Sequence, residues 1–248
     1  MLEAIGLEKS YGRLKVTQNV SLAVEKGERR VILGPNGAGK TTLFNILVGE
    51  VRPNAGTIKL AGRDLTRMPV EARARLGLGR SYQKNTLFDD LTVAENLALA
   101  CATASGAAGW LTRDTLNDRA IAERVGDVAS KVGLTPLLDH PVNAVSYGAR
   151  RQLEVGIALA TEPVVLLMDE PTSGVGPEMI KAFHTLLKSL PRDLTVVIIE
   201  HDMDLAFDVA DRVTVLNYGE VVFEGTPDET RDSHLVNEIY LGGWSHDA

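Results

Sequence analysis

The residues with the clearest chemical purpose lie between positions 31 and 42, which read Val-Ile-Leu-Gly-Pro-Asn-Gly-Ala-Gly-Lys-Thr-Thr. The spacing matches Gly-x-x-x-x-Gly-Lys-Thr, whose glycines let backbone N–H groups curl around a phosphate because no Cβ blocks the approach. Lys40 supplies a charge for the β and γ phosphates, and the Thr41 hydroxyl can bind Mg²⁺. The alternative is an ordinary glycine-rich turn. The apolar strand, the glycine spacing, the lysine and the threonine together favour a phosphate-binding loop.

Two adjacent carboxylates form a second candidate, because Asp169 and Glu170 follow the apolar run at 164–168. Such a run predicts a strand covered on both faces. Carboxylates at its end are unfavourable unless they meet a cation or take part in proton transfer, and α/β sheets bind ligands at the carboxyl ends of strands. Beside a phosphate-binding loop, the pair predicts that Asp169 holds Mg²⁺ and that Glu170 orients or deprotonates water. The alternative is a capping turn whose carboxylates face water.

Several further residues are ambiguous when each is considered alone. Tyr11 ends a predicted strand, where an aromatic residue packs more often than it binds a ligand. Gln83 by itself has the features of a surface amide. Ser146 and Gly148 could begin a helix that binds an anion, or Ser146 could be a plain N-cap. His201 gains interest because it lies at the same predicted sheet edge as the two phosphate motifs.

The composition is that of an ordinary globular protein, with 248 residues, 44% hydrophobic and 24% charged. The formal net charge of −7 argues against broad binding to nucleic acid or anionic lipid. We find no apolar stretch long enough to span a bilayer and no leader, so we expect a cytoplasmic protein. The single cysteine, Cys101, is expected to be a small buried hydrophobic residue rather than a nucleophile.

The candidate residues need a framework that brings them together, and the hydrophobic pattern predicts one. Apolar runs and alternation predict strands, whereas a 3.6-residue period predicts helices. Strands are predicted at 2–9, 16–25, 31–33, 57–60, 164–168, 195–199, 212–216 and 219–223. Helices are predicted at 41–48, 70–75, 96–104, 116–132, 155–160, 177–190, 205–210 and 235–240.

The stretch from about residue 86 to residue 146 lacks the strand signals found on both sides of it. This loss predicts an inserted helical subdomain. Within the stretch, Thr92-Val93-Ala94-Glu95 predicts a capping box, in which the threonine hydroxyl and the glutamate carboxylate each accept a backbone N–H group.

Five motifs occur in an order that resembles the ATP-binding subunits of ABC transporters: the phosphate loop, Gln83, the Ser146/Gly148 helix start, Asp169-Glu170 and His201. P-loop GTPases and kinases lack the Ser146 segment and the inserted helices, and we find no Asn-Lys-x-Asp for guanine. The resemblance covers nearly the whole chain. It implies an α/β fold: a P-loop (RecA-like) core with a mainly parallel sheet, an N-terminal antiparallel β subdomain and an inserted helical subdomain. The predicted division is a core at 1–85 and 153–225, a helical subdomain at 86–152 and a tail at 226–248.

The resemblance also implies a role for each matching residue. Tyr11 would stack on the adenine of ATP, and the phosphates would be wrapped by Gly34, Pro35, Asn36, Gly37, Ala38, Gly39, Lys40, Thr41 and Thr42. Mg²⁺ would be surrounded by Thr41, Gln83 and Asp169. The catalytic set would be Glu170 as general base, His201 at the γ-phosphate, and Gln83.

Domains of this family close head to tail on two ATP molecules, so Ser146 and Gly148 would complete the site of the opposite protomer. Hydrolysis would then release the pair. Two departures stand out. Residues 145–149 read Val-Ser-Tyr-Gly-Ala instead of the usual Leu-Ser-Gly-Gly-Gln, and residues 173–176 read Ser-Gly-Val-Gly instead of Ser-Ala-Leu-Asp. That missing aspartate helps communication between the sites, so unequal sites or a heterodimer with a different ATPase chain stay open.

Several segments are similar to the ATPases of branched-chain amino-acid importers: 87–88, 91–97, 146–148, 199–203, 216–219 and 238–242. Tyr147 and 200–202 favour the longer of the two ATPase types of those importers. The similarity implies a second ATPase subunit, two transmembrane permeases and, indirectly, a periplasmic binding protein, with no nucleic acid. The chain would lie on the cytoplasmic face of the inner membrane.

Three alternatives stay open. A lipopolysaccharide-export ATPase shares the Tyr-Leu-Gly tail but usually keeps a Ser-Gly-Gly signature. A urea or short-amide importer ATPase would look alike. A soluble ABC protein of translation or DNA repair generally carries two cassettes or long coiled-coil insertions, and this chain has one cassette.

Overall fold

The larger of two sheets carries the strands that precede both phosphate motifs. The computed structural model describes residues 1–81, 87–104, 118–173 and 176–241. Side by side, the six strands of this sheet are β10 (Glu220–Gly225), β9 (Arg212–Asn217), β3 (Arg29–Leu33), β8 (Thr195–Ile199), β7 (Val165–Asp169) and β6 (Leu78–Arg80). The strands from β9 to β6 are parallel, and β10 pairs antiparallel with β9.

The central strands β3, β7 and β8 are buried along their whole length. This burial accounts for their continuous apolar runs, since neighbours on both faces exclude water. Their side chains alternate between two cores. In β3, Val31 and Leu33 face the core that contains most of the helices, whereas Ile32 faces the core between the two sheets. The second core holds the helix that follows β3, α1 (Lys40–Val48).

The smaller sheet is antiparallel and packs over α1. Its order is β2 (Leu14–Val24), β1 (Leu2–Tyr11), β4 (Ala55–Leu60) and β5 (Arg63–Asp64). The hairpin between β1 and β2 is tighter than the sequence pattern predicts, because β2 begins at Leu14, which pairs with Tyr11. Tyr11 therefore lies at the end of this hairpin.

The remaining helices follow in chain order: α2 (Val70–Arg75), α3 (Val93–Ala104), α4 (Arg119–Lys131), α5 (Tyr147–Ala160), α6 (Pro177–Ser189), α7 (Met203–Val209), α8 (Pro227–Asp232) and α9 (His234–Leu241). Short 3₁₀ turns lie at Thr135–Leu137 and Val142–Ala144. The arrangement confirms the predicted α/β fold with one mainly parallel and one antiparallel sheet. Among the described residues, no helix combines the length and the hydrophobicity needed to span a membrane.

Helices α3, α4 and α5 pack against one another. The capping box is confirmed: the Glu95 N–H donates to Thr92 Oγ1 at 3.1 Å, and the Thr92 N–H donates to Glu95 Oε2 at 2.8 Å. Cys101 is buried in α3, as expected, and burial raises the pKa of its thiol. The division into core, helical subdomain and tail stays a prediction, and its boundary after residue 152 falls within α5.

Two predicted helix assignments are incomplete. The helix predicted at 155–160 is only the second half of α5, which begins at Tyr147. No helix was predicted for α8, although Thr226 and Glu229 form a capping box around Pro227 at its first turn. Proline at this position is a helix start signal, because the N–H group it lacks has no partner within the helix.

A buried cation ties α1 to the segment that follows the smaller sheet. The Arg73 guanidinium is 1% exposed. It donates to four backbone oxygens, those of Ile46 at 2.8 Å, Leu47 at 2.6 Å, Met68 at 3.0 Å and Thr66 at 3.2 Å. Burial lowers the pKa of Arg73 to about 10. The side chain therefore stays charged at neutral pH and satisfies the last carbonyl groups of α1.

Candidate functional site

Three adjacent parallel strands, β3, β8 and β7, bring the candidate residues to one edge of the larger sheet. The Glu170 N–H donates to the Ile199 carbonyl at 2.8 Å, and the Glu200 N–H donates to the Ile32 carbonyl at 3.1 Å. The ends of the three strands are thus joined by backbone hydrogen bonds. Carboxyl ends of parallel strands are where α/β sheets bind ligands. The phosphate loop, the acidic pair and His201 meet there.

The phosphate loop has the geometry that a bound polyphosphate needs. Gly37 and Gly39 have φ angles of 80° and 96°, a region that favours glycine. A Cβ on Gly37 would meet nothing within 4 Å, so the loop is open there. The N-terminus of α1 has no side-chain cap and no acidic residue in its first turn. Its N–H groups and its dipole are therefore available to an anion, and the residues present fit a phosphate group.

Lys40 is buried at the start of α1 and points back at the loop. Its Nζ donates to the carbonyl oxygens of Gly34 at 2.6 Å and Pro35 at 3.0 Å. Burial lowers the pKa of Lys40, while the nearby charges of Glu170 and Asp169 raise it. The ammonium group thus lies between the loop and the acidic pair, where a phosphate could replace a carbonyl as its partner.

Asp169 has a strongly perturbed carboxyl group. Burial first, and then the charge of Glu170, raises the pKa of Asp169 to about 6, although Arg80 and Lys40 act in the opposite direction. A divalent cation would reverse this balance, because it favours the ionised carboxylate. Asp169 and the exposed hydroxyl of Thr41 are oxygen ligands of the kind Mg²⁺ takes. The donor set therefore fits Mg²⁺ bound together with phosphate oxygens.

Glu170 occupies a backbone conformation that non-glycine residues rarely adopt, with a φ of 42°. Its carbonyl accepts the Ser173 N–H at 3.1 Å, which closes a tight turn directly after β7. Such strain persists only where the surroundings fix it, and it occurs most often at functional sites. The turn therefore fixes the backbone of Glu170 directly after Asp169.

His201 and Tyr11 both offer exposed side chains to a ligand. The His201 side chain is 54% exposed at the end of β8. Tyr11 is 52% exposed at the tip of the β1–β2 hairpin, and the Lys9 ammonium lies 5.1 Å from its ring centroid. A half-exposed ring at this hairpin is available for stacking. Gln83, the remaining residue of the predicted Mg²⁺ and catalytic sets, lies outside the described residues.

Ser146 is the N-cap of α5, as one of its two interpretations predicted. Its hydroxyl accepts the Ala149 N–H at 3.2 Å. Ser146 and Tyr147 are both exposed, whereas Gly148 is buried in the first turn. The cap occupies one amide of the helix start and does not exclude the anion-binding interpretation, which stays a prediction.

Sequence reasoning assigned no role to Glu200, which is fully buried behind His201. Both of its carboxylate oxygens accept hydrogen bonds, from Thr172 and from the His201 N–H. The available signal was a carboxylate placed directly after the four buried apolar residues that end β8.

Comparisons with known proteins agree with this geometry. A family model described as ABC transporter matches residues 17–173. The chain is 36% identical to the high-affinity branched-chain amino acid transport ATP-binding protein LivG of Salmonella typhimurium, over 98% of both chains. It is 36% identical to the lipopolysaccharide export system ATP-binding protein LptB of Acidithiobacillus ferridurans, over 98% of this chain and 97% of the relative. The crystal structure of the ADP conformation of MJ1267, an ATP-binding cassette of an ABC transporter, is similar with a TM-score of 0.85 and 27% identity over 98% of both chains.

Proposed function

The chain belongs to the ABC transporter family, and we propose that it is the ATPase subunit of an importer of branched-chain amino acids. As a member of this family it is an ATP-binding, ATP-hydrolysing transporter subunit. The site is assigned because Lys40, Asp169 and Glu170 lie close together at one edge of the larger sheet. The amino-acid cargo is supported by the similarity to LivG along 98% of both chains.

The phosphate loop and α1 would bind the β and γ phosphates of ATP through backbone N–H groups, with Tyr11 against the adenine. Lys40 would exchange a loop carbonyl for a phosphate oxygen, because a charge-assisted bond to phosphate is stronger. Thr41, Asp169 and Gln83 would hold Mg²⁺. When bound, this ion supplies positive charge that offsets the charge developing on the transferred phosphate.

Glu170 would orient the attacking water and accept its proton, since it directly follows the proposed Mg²⁺ ligand Asp169 and begins the turn after β7. His201 would contact the γ-phosphate from the end of β8. Together these groups stabilise the in-line attack of water on the γ-phosphate by positioning and charge, which is the main source of catalysis in phosphoryl transfer.

A second ATPase subunit would complete each site with Ser146 and Gly148 of its own α5. Support for this comes from the exposure of Ser146 and Tyr147 at the start of α5. We propose that the pair works with two permease subunits and receives cargo from a periplasmic binding protein. The site of action would be the cytoplasmic face of the inner membrane.

The second candidate function is lipopolysaccharide export, because the LptB relative reaches the same 36% identity. Identifying the transported substrate distinguishes the two candidate functions. We expect the chain, reconstituted in proteoliposomes with a second ATPase subunit, permeases and a binding protein of this importer type, to drive leucine uptake that requires internal ATP. Extraction of lipopolysaccharide without leucine uptake would favour the second candidate.

The ATPase assignment is tested by Glu170→Gln, which keeps the shape of the side chain and removes the base. The variant should bind ATP normally and release phosphate at a rate lower by about 100-fold or more. It should also form an ATP-dependent dimer detected by light scattering. The matched control is Glu178→Gln, which changes an exposed glutamate in the first turn of α6. Turnover as fast in Glu170→Gln as in the control would remove the base assignment.

A further inference from the structure

Glu200 is a fully buried carboxylate whose two oxygens serve two different segments. Oε1 accepts the Thr172 N–H at 3.1 Å and the Thr172 hydroxyl at 2.6 Å. Oε2 accepts the His201 N–H at 3.0 Å, and the His201 Nδ1 lies 3.5 Å from the same oxygen. The carboxylate therefore joins the turn that follows β7 to the turn that follows β8.

The position places a third negative charge beside an acidic pair. The charges of Glu170, Asp169 and Glu200 all act on Lys40, and the Glu200 charge also raises the pKa of Asp169. A neutral amide has one acceptor oxygen, so it could accept from Thr172 but not also from the His201 N–H. Joining the two turns therefore needs both carboxylate oxygens, and it adds a third negative charge to the site.

The same carboxylate also faces the imidazole of the next residue. A carboxylate facing Nδ1 of a histidine keeps the proton on Nδ1 and leaves Nε2 for a ligand. It also stabilises the ring in one orientation. His201 is half exposed, so its ring has no surrounding core to fix it. Of the groups described here, Glu200 is the one whose carboxylate lies against Nδ1.

We propose that Glu200 is a positioning residue for ATP hydrolysis, holding the His201 imidazole with Nδ1 toward the carboxylate and Nε2 toward the γ-phosphate. Through Thr172 the same carboxylate sets the distance between His201 and the turn that carries Glu170. This proposal rests on the proposed role of His201 at the γ-phosphate. It assigns Glu200 no contact with ATP itself.

A double-mutant cycle tests the proposal, with ATPase activity of the full-length chain as the measurement. Glu200→Gln should lower kcat by about 30-fold and leave the KM for ATP within about 2-fold of the wild-type value. In a His201→Ala background the same substitution should change kcat by less than about 2-fold, because its effect would act through the imidazole. An equal loss in both backgrounds would overturn the proposal. Full activity of His201→Ala alone would instead remove the proposed role of His201.

The matched control is Thr172→Val, which removes one donor to Oε1 and leaves the His201 side of the carboxylate intact. It should lower kcat by less than about 3-fold. A loss as large as that of Glu200→Gln would show that the link between the turns, and not the imidazole, matters.

A second measurement reads the protonation of His201 directly, first in the wild-type chain. In ¹⁵N-histidine-labelled wild-type chain at pH 8, where an ordinary imidazole is neutral, His201 should give the signals of the tautomer protonated at Nδ1. Glu200→Gln should shift the Nδ1 signal of His201. A wild-type His201 protonated at Nε2 would overturn the proposal even if kcat behaved as expected.

Discussion

The two halves of the proposed ATP site are built in opposite ways. The phosphate half, residues 34–42 with Asp169 and Glu170, has Lys40 and Asp169 buried at 5% and 7% exposure, next to hydrogen-bonded turns. The signature half, residues 145–149, exposes Ser146 and Tyr147 at the start of α5. One half has its charges in place before ligand arrives, whereas the other is a solvated helix start.

This difference in burial indicates at which stage each half acts. Buried like charges destabilise the empty protein, so the phosphate half gains most from a bound polyphosphate and its cation. A solvated helix start costs little when empty and has a ligand only if a second chain presents one. We therefore expect the phosphate half to set ATP affinity in the isolated chain, and the signature half to matter in the dimer.

The largest expected effect is on ATP affinity in Lys40→Ala. Loss of the buried ammonium should weaken ATP binding by about 1,000-fold, or about 4 kcal/mol, because each hydrogen bond between charged groups contributes strongly. Titration calorimetry of the isolated chain measures the change, with the exposed Lys131→Ala as control. Unchanged affinity would break the comparison, since the phosphate half would not hold the phosphates.

The next effect is a gain in stability. Without nucleotide or Mg²⁺, Asp169→Asn should raise the free energy of unfolding by about 3 kcal/mol at pH 8. Burial raises the pKa of Asp169 from 3.8 to about 6, so the ionised carboxylate is disfavoured in the folded chain. As pH falls through about 6 the folded wild type takes up a proton, so the gain should shrink toward pH 4. Urea unfolding at three pH values measures it, and a gain independent of pH contradicts the charge argument.

A smaller difference in stability is expected between substitutions of two glycines in the phosphate half. A Cβ on Gly39 would lie 2.5 Å from the Val16 carbonyl oxygen, whereas a Cβ on Gly37 meets nothing within 4 Å. Both positions have positive φ, so both substitutions to alanine carry the left-handed penalty of about 1 kcal/mol. Gly39→Ala should be about 2 kcal/mol less stable than Gly37→Ala, which is a difference of about 6 °C in Tm. Equal melting temperatures would mean that the loop is not held against β2.

The smallest effect is expected in the signature half. Ser146→Ala removes the hydroxyl that caps α5 and should reduce stability by about 1 kcal/mol. ATP affinity of the isolated chain should not change, while ATPase activity of the dimer should fall. Ser130→Ala, an exposed serine in α4, is the control for stability. If Ser146→Ala weakened ATP binding by the isolated chain, the two halves would not be separate.

The phosphate loop could be predicted because the pattern that specifies it is local in the sequence. Twelve consecutive residues contain the strand, the glycines and the lysine. The confirmed fold class likewise follows from apolar runs such as those of β3, β7 and β8. The contact between Glu200 and Thr172 joins residues 28 positions apart, and no local pattern signals it. Arg73 resembles a surface cation in the sequence for the same reason, since its four partners come from α1 and from residues 66–68.

Arg73 also limits how the protein can deform. Its guanidinium donates to carbonyls near the end of α1 and to two carbonyls just ahead of α2. A rotation of either helix relative to the other would therefore leave a buried charge without its hydrogen-bond partners. The short strand β6 continues directly from α2. A displacement that reaches α2 from outside must then be shared by α1, whose opposite end is proposed to bind the phosphates. Through one arginine, movements of α1 and α2 are coupled in both directions.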